Sequence, residues 1–327
     1  MTNNNHIESQ SQALSFNRHW VSWVKWIFMI LAYSFLAYKL ITFTHYGELL
    51  KWWRQMPLSQ CWWLAAVIAL LPINWLLEAF KWKMLTASVE KINLFRAMKG
   101  VLAGISTGFF TPNRVGEMVG RVISLNAENR KAGVTLSVVN SLTQNLIMAG
   151  CGVPAALAFF YFTANPLEVD FENFILIMLV GVLIFGLVYL ELPKLSRFLG
   201  ESSIASSIAG FTSCLTDYSG FDLFRIMVIS LVRYVVFCVQ FFMILRFFGI
   251  NLDYTEALIA IPTTYLFVTF SPSFAFSEAA VRSSFAVLFI GAYSGQVVNI
   301  ALAGVSVWAI NFIVPMLAGS LLLAKSE

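Results

Sequence analysis

Along this chain long apolar runs alternate with short polar breaks. Six of the runs, at about 20–43, 62–80, 133–162, 174–190, 226–248 and 295–323, are long enough to form helices that cross a bilayer. A spanning helix rises 1.5 Å per residue and so needs roughly 20 apolar residues to cover the hydrocarbon core. Two further stretches, about 93–125 and 255–290, can also enter the membrane, but each is interrupted at its middle by a proline and polar residues. The pattern predicts two half-helices with a turn between them in each stretch, which fits a re-entrant hairpin. A pair of thin, fully spanning helices fits the same residues and leaves the parity of the topology unchanged. The expected fold is all-α and polytopic, with six spans and two broken hairpins after a polar tail at 1–19. The hydrophilic stretch "GESSIASSIAGFTSCLTDYSGFD" reads as a short interfacial helix.

The two breaks resemble each other. "FTPNRVGEMVGR" from Phe110 to Arg121 and "FSPSFAFSEAAVR" from Phe270 to Arg282 both run Phe, hydroxyl residue, Pro, short linker, then Glu and Arg four apart. The spans agree with a repeat, since residues 20–162 and 163–327 each hold two spans, a hairpin and a span. An odd number of spans per half inverts the second copy, and the two hairpins then enter from opposite faces. Inverted repeats whose discontinuous helices meet near the midplane recur in secondary transporters, where they offer related conformations open to either side.

Composition agrees with this layout. Hydrophobic residues make up 59% of the 327 and charged residues 12%, and the mean hydropathy is +0.76, which describes a polytopic membrane protein. The run from Trp20 to Phe43 lacks a small-residue cleavage pattern and reads as a retained anchor. Basic residues orient the spans. Lys81, Lys83, Lys91, Arg96 and Lys99 follow the second span, Arg130 and Lys131 precede the third, and Lys194, Arg197 and Arg225 lie between the fourth and fifth. These loops and both termini are expected in the cytoplasm. "NPLEVDFEN" carries only acidic charge and is expected outside, while Lys51 and Arg54 run against the rule. The implied location is the cytoplasmic (inner) membrane of a bacterium or archaeon. A net charge of +4 is too small to argue for a nucleic-acid partner. The four cysteines, Cys61, Cys151, Cys214 and Cys238, have neither metal-ligand nor redox spacing, and neither metal nor cofactor is expected.

The candidate chemistry lies in the charges placed at membrane depth: Glu78, Arg114, Glu117, Arg121, Arg233, Glu278 and Arg282. Each costs roughly 2.5–3.5 kcal/mol at a helix centre, so the group belongs in a protein interior or a wet cavity. Glu117 with Arg121, and Glu278 with Arg282, stand i to i+4 and share a helix face. One reading makes each pair a self-neutralising staple of its hairpin. The other makes Arg114, Arg121 and Arg282, with the hydroxyls of Thr111, Ser271, Ser273 and Ser277, an anion site beside the helix ends that Pro112 and Pro272 free, while Glu117 and Glu278 hold the arginines and exchange protons. Ser277 also stands where it can cap the second half-helix. Glu78 is expected to pair with Lys81 near the interface. Arg233 has no local partner and either snorkels or reaches the hairpins.

These residues resemble a known family. "TPNRVGEMVGRVISL" is similar to the "TPGRxGE" signature of the lysylphosphatidylglycerol synthase transmembrane region family, also called flippase-like proteins. "EAFKWKML" at Glu78 to Leu85 resembles the end of that family's second span, and "SPSFAFSEAAV" resembles its late "SPGGLGxxEA" motif. Asn113, Ser273 and Phe274 stand where the family has glycines. The resemblance implies a lipid-handling membrane domain that moves a phospholipid between leaflets. It does not extend to the aminoacyltransferase domain, so synthesis of the lysyl lipid is not expected of these residues.

The leading function is therefore a flippase-like transporter of a phospholipid or polyprenyl-phosphate-linked substrate, served by a separate synthase or glycosyltransferase. A carrier of small anionic solutes and a lipid-binding scaffold share the architecture. An intramembrane enzyme fits poorly, because no histidine follows His45 to act as a base.

Overall fold

The computed structural model describes Gly47, Arg54 and residues 57–109, 111, 114–163, 171–201, 213–271 and 275–324. The first apolar run at 20–43, the acidic loop at 164–170, most of the interfacial stretch, Pro112, Pro272 and Ser273 lie outside them. The regular elements among the described residues are all helices, with no strand among them.

Among the described residues, four helices are long and apolar enough to cross a membrane. They are α1 (Cys61–Thr86), α4 (Arg130–Thr163), α7 (Gly220–Phe247) and the C-terminal pair α10 (Val297–Trp308) and α11 (Val314–Ala324), which a π-helical turn at Ala309–Ile313 joins. A fifth is formed if α5 (Phe171–Leu190) and α6 (Leu192–Glu201), bent by 61° at their junction, count as one span. The π-turn has a local cause. Pro315 has no N–H to give the carbonyl of Asn311 four residues back, and the ladder slips there.

The chain begins α7 with a capping box between Ser219 and Asp222, and α8 (Tyr254–Phe270) with one between Asp253 and Glu256. Both satisfy backbone donors that the first turn leaves open. Asn93 does the same for α2 (Leu94–Gly108), accepting from the N–H of Arg96.

The two broken stretches are unequal. In the first, α2 has 15 residues and α3 (Gly116–Arg121) only 6, lengths of about 22 and 9 Å. In the second, α8 has 17 residues and α9 (Ala275–Ile290) 16, each about 25 Å long against a core of about 30 Å. Half-helices were expected in both; the second stretch forms two nearly full-length ones. A 3-10 turn at Val122–Ser124 closes α3 early.

Glycine sets how closely α2 and α3 approach. A Cβ on Gly120 would stand 2.0 Å from the Thr107 hydroxyl and 2.7 Å from the Ala103 carbonyl, and one on Gly104 would stand 2.8 Å from the Glu117 carbonyl. Small residues bring helix backbones this close in membranes. Each broken stretch also docks on a span distant in sequence. α2 meets α11 at Gly319, where the Ser106 hydroxyl donates to the Met316 carbonyl at 2.8 Å, and α8 meets α4 at Gly152, against Leu266.

Two apolar clusters form the core, one including Trp82, Leu85, Leu136 and Phe312, the other Phe241, Ile244, Tyr265 and Ile300.

Candidate functional site

A cavity of about 510 Å³ opens where the two broken stretches meet, and residues of both apolar clusters line it. Seven charged side chains among the described residues reach it: Glu78 from α1, Arg114, Glu117 and Arg121 from the first broken stretch, Arg233 from α7, and Glu278 and Arg282 from α9. These are the seven charges that the sequence places at membrane depth. They sort into two groups.

The inner group centres on Glu78, which is 2% exposed. Its carboxylate takes Lys81 at 3.1 Å, Arg121 at 2.5 Å, Arg233 at 3.0 Å and the amide of Asn140 at 2.8 Å. Arg121 also binds Glu117 on its own helix. Two expectations are corrected here. Lys81 is not a loop charge: α1 runs six residues past the expected end at 80, and Lys81 is fully buried, donating to Ser230 at 3.2 Å. Glu78 accordingly does more than pair with Lys81 at an interface; it also neutralises Arg121 and Arg233. Arg233 reaches inward, its Nε donating to Asn74 at 2.8 Å and its guanidinium to Gln144 at 3.1 Å.

The outer group joins the two broken stretches. Arg114 grips Glu278 through three hydrogen bonds, at 2.7, 2.9 and 3.2 Å, and Arg282 adds a fourth at 3.0 Å from the next turn of α9. The Arg114 backbone is in the left-handed region, at φ 59°, and its guanidinium lies 3.9 Å over the Phe312 ring. A non-glycine residue holds that conformation only where its surroundings require it. Here the turn aims the Arg114 side chain across to Glu278 on α9. Arg114 is also the most open of the four arginines, with 38% of its side chain exposed against 2, 17 and 12% for Arg121, Arg233 and Arg282.

Counting Lys81, five cations face three carboxylates, and each group holds one cation in excess. The sequence-predicted hydroxyls have separate positions. Thr111 is engaged within the turn, accepting from the Gly116 N–H at 2.7 Å and donating to the Gly108 carbonyl at 3.1 Å. Ser271 lines the cavity, and Ser277 is half-buried one residue ahead of Glu278.

The sequence reading missed the amides. Asn74, Asn140, Gln144 and Asn311 stand in apolar spans beside the charges: Asn74 and Gln144 accept from Arg233, Asn140 donates to Glu78, and Asn311 accepts from Asn74. Their signal is present in the helical spacing of Asn74 to Glu78 and of Asn140 to Gln144, four residues in each case.

Four arginines against three carboxylates at one cavity leave an excess of positive charge, and guanidinium groups of this kind can bind an oxyanion by bidentate hydrogen bonding. Comparison with curated proteins and with solved structures finds no match. The family model of the lysylphosphatidylglycerol synthase TM region matches residues 24–319, nearly the whole chain, and the protein belongs to that family.

Proposed function

We propose that this protein moves a phospholipid or lipid-linked anionic substrate between leaflets, with the cavity between the two broken stretches as the headgroup site. The observation that carries this reading is the charge balance: four arginines and three carboxylates line one cavity, Lys81 is buried behind Glu78 as a further cation, and Arg114, the most exposed of the arginines, stands at the junction of the two stretches. Membership of a family built around a lipid-handling membrane region agrees with it.

The inverted repeat belongs to the same proposal. Its support is the reciprocal docking of α2 on α11 at Gly319 and of α8 on α4 at Gly152, as two related halves clasping each other would give. In this layout the first stretch enters from the cytoplasm and the second from outside, with both termini cytoplasmic in an inner membrane. Opening of the Arg114–Glu278 contact is then the natural step that admits a phosphate, because the arginine exchanges one oxyanion for another. We assign no catalytic step to the chain. A separate synthase or glycosyltransferase would supply the substrate.

Binding of a short-chain anionic lipid to the purified protein tests the headgroup site. Arg114→Gln removes a charge-assisted contact and is expected to weaken binding roughly ten- to a hundredfold. Undiminished binding would favour the reading in which the charges only staple the hairpins.

A further inference from the structure

Each of the four arginines at the cavity stands over an aromatic ring: Arg121 over Trp82 at 5.7 Å, Arg233 over Phe237 at 4.9 Å, Arg282 over Tyr265 at 5.5 Å and Arg114 over Phe312 at 3.9 Å. A guanidinium is planar and carries its N–H donors in that plane, so a ring beneath it occupies a face and leaves the donors free for an oxyanion. The Arg114 distance is the shortest of the four. Arg121 is held by both Glu78 and Glu117, and Arg233 by Glu78, Asn74 and Gln144, so each keeps a polar partner when one leaves. Arg114 does not. Among the described residues its guanidinium hydrogen-bonds to Glu278 alone, and once a phosphate displaces that carboxylate, Phe312 is the contact that stays.

The ring itself is fixed. Phe312 is 2% exposed and lies in the π-turn between α10 and α11, with the Phe109 ring stacked at 5.5 Å and 23° and the Trp308 ring at 6.1 Å. Phe109 follows the last residue of α2 and Arg114 comes five residues later, so the first broken stretch meets this ring at two points. The two holds on Arg114 come from different elements, the ring from the C-terminal span and the carboxylate from α9. One can therefore be lost without the other.

We infer that Phe312 is a positioning residue of the headgroup site, a fixed platform on which Arg114 exchanges Glu278 for the oxyanion of a phosphate. This rests on reading the cavity as that site. An arginine released from its carboxylate regains rotamer freedom, which a phosphate must then remove again. Contact with the ring keeps the guanidinium aimed through the exchange, and the phosphate meets an arginine that is already in place. The platform acts on the phosphate contact and is indifferent to what the phosphate carries.

The test measures binding of dioctanoyl phosphatidylglycerol to the purified full chain in detergent. Phe312→Met fills most of the ring's space with an apolar side chain that has no π face, whereas Phe312→Tyr keeps the face. The methionine variant should bind about three- to tenfold more weakly than the natural protein, and the tyrosine variant should stay within about twofold of it. Phe312→Leu, a second route to the same loss, should match the methionine variant. Combining Phe312→Met with Arg114→Gln separates positioning from packing, because a ring that acts through Arg114 has nothing left to hold in the double variant. That protein should bind no more weakly than Arg114→Gln alone. Natural affinity in Phe312→Met, a tyrosine variant no better than the methionine one, or a loss just as large on the Arg114→Gln background would overturn the inference. A natural protein that binds no lipid, or an Arg114→Gln variant that binds as tightly as the natural one, would remove the phosphate site itself, and the role of Phe312 with it.

Discussion

Arg114, in the turn of one broken stretch, holds Glu278, near the start of α9 in the other, with three hydrogen bonds and the shortest at 2.7 Å. The two residues are 164 apart in sequence, and both line the cavity. Glu278 also keeps Arg282, so the two ends of the contact are not equivalent. Removing Arg114 leaves Glu278 still paired, whereas removing the Glu278 charge leaves two arginines without it. Glu278→Gln is therefore expected to lower the melting temperature in detergent more than Arg114→Gln does. Loss of a partner from a buried pair costs about 3–5 kcal/mol, and the 38% exposure of Arg114 puts its own removal well below that. Equal losses would mean that Arg282 gives Glu278 no support.

Glu78 should be the least replaceable charge in the molecule. It neutralises Lys81, Arg121 and Arg233 while 2% exposed. Glu78→Gln keeps the shape and leaves these buried cations short of a counter-charge, at a cost of about 3–5 kcal/mol or more. The expected outcome is failure to accumulate, or a steep drop in thermal stability, rather than a selective transport defect. A Glu78→Gln protein with unchanged melting behaviour would show that the inner group is not needed for folding.

The close approach of α2 and α3 predicts a sharp contrast between two glycines. Gly120→Ala places a methyl group 2.0 Å from the Thr107 hydroxyl and against backbone, and should cost about 1–3 kcal/mol through overpacking. Gly181→Ala, on α5, has nothing within 4 Å and should be neutral or slightly stabilising. Melting of the two variants side by side checks this.

The seven charges at the cavity were legible because a charge inside an apolar run is costly enough to demand a protein partner. Their pairing was only partly legible. Spacing of four residues identifies Glu117 with Arg121 and Glu278 with Arg282, but the longer contacts of Arg114 with Glu278 and of Arg121 and Arg233 with Glu78 depend on how the helices pack. Lys81 was misplaced because a lysine after an apolar run looks like the end of a span; its fully buried ammonium is tolerated only because Glu78 sits one turn away. The amides were overlooked because Asn and Gln carry no charge, and a single one in a span raises little alarm. The π-turn that presents Asn311 depends on Pro315, a residue that hydropathy alone treats as one more apolar position.

The central claim is that the cavity joined by Arg114 and Glu278 carries an anionic headgroup across the membrane. Its most direct test is leaflet-to-leaflet transfer of a fluorescent phosphatidylglycerol in vesicles reconstituted with equal amounts of folded natural protein or the Arg114→Gln variant, read by quenching of the outer leaflet. Transfer well above that of protein-free vesicles, falling about tenfold or more in the variant, is the predicted result. Transfer no faster than in empty vesicles, or an Arg114→Gln protein as fast as the natural one, would contradict it.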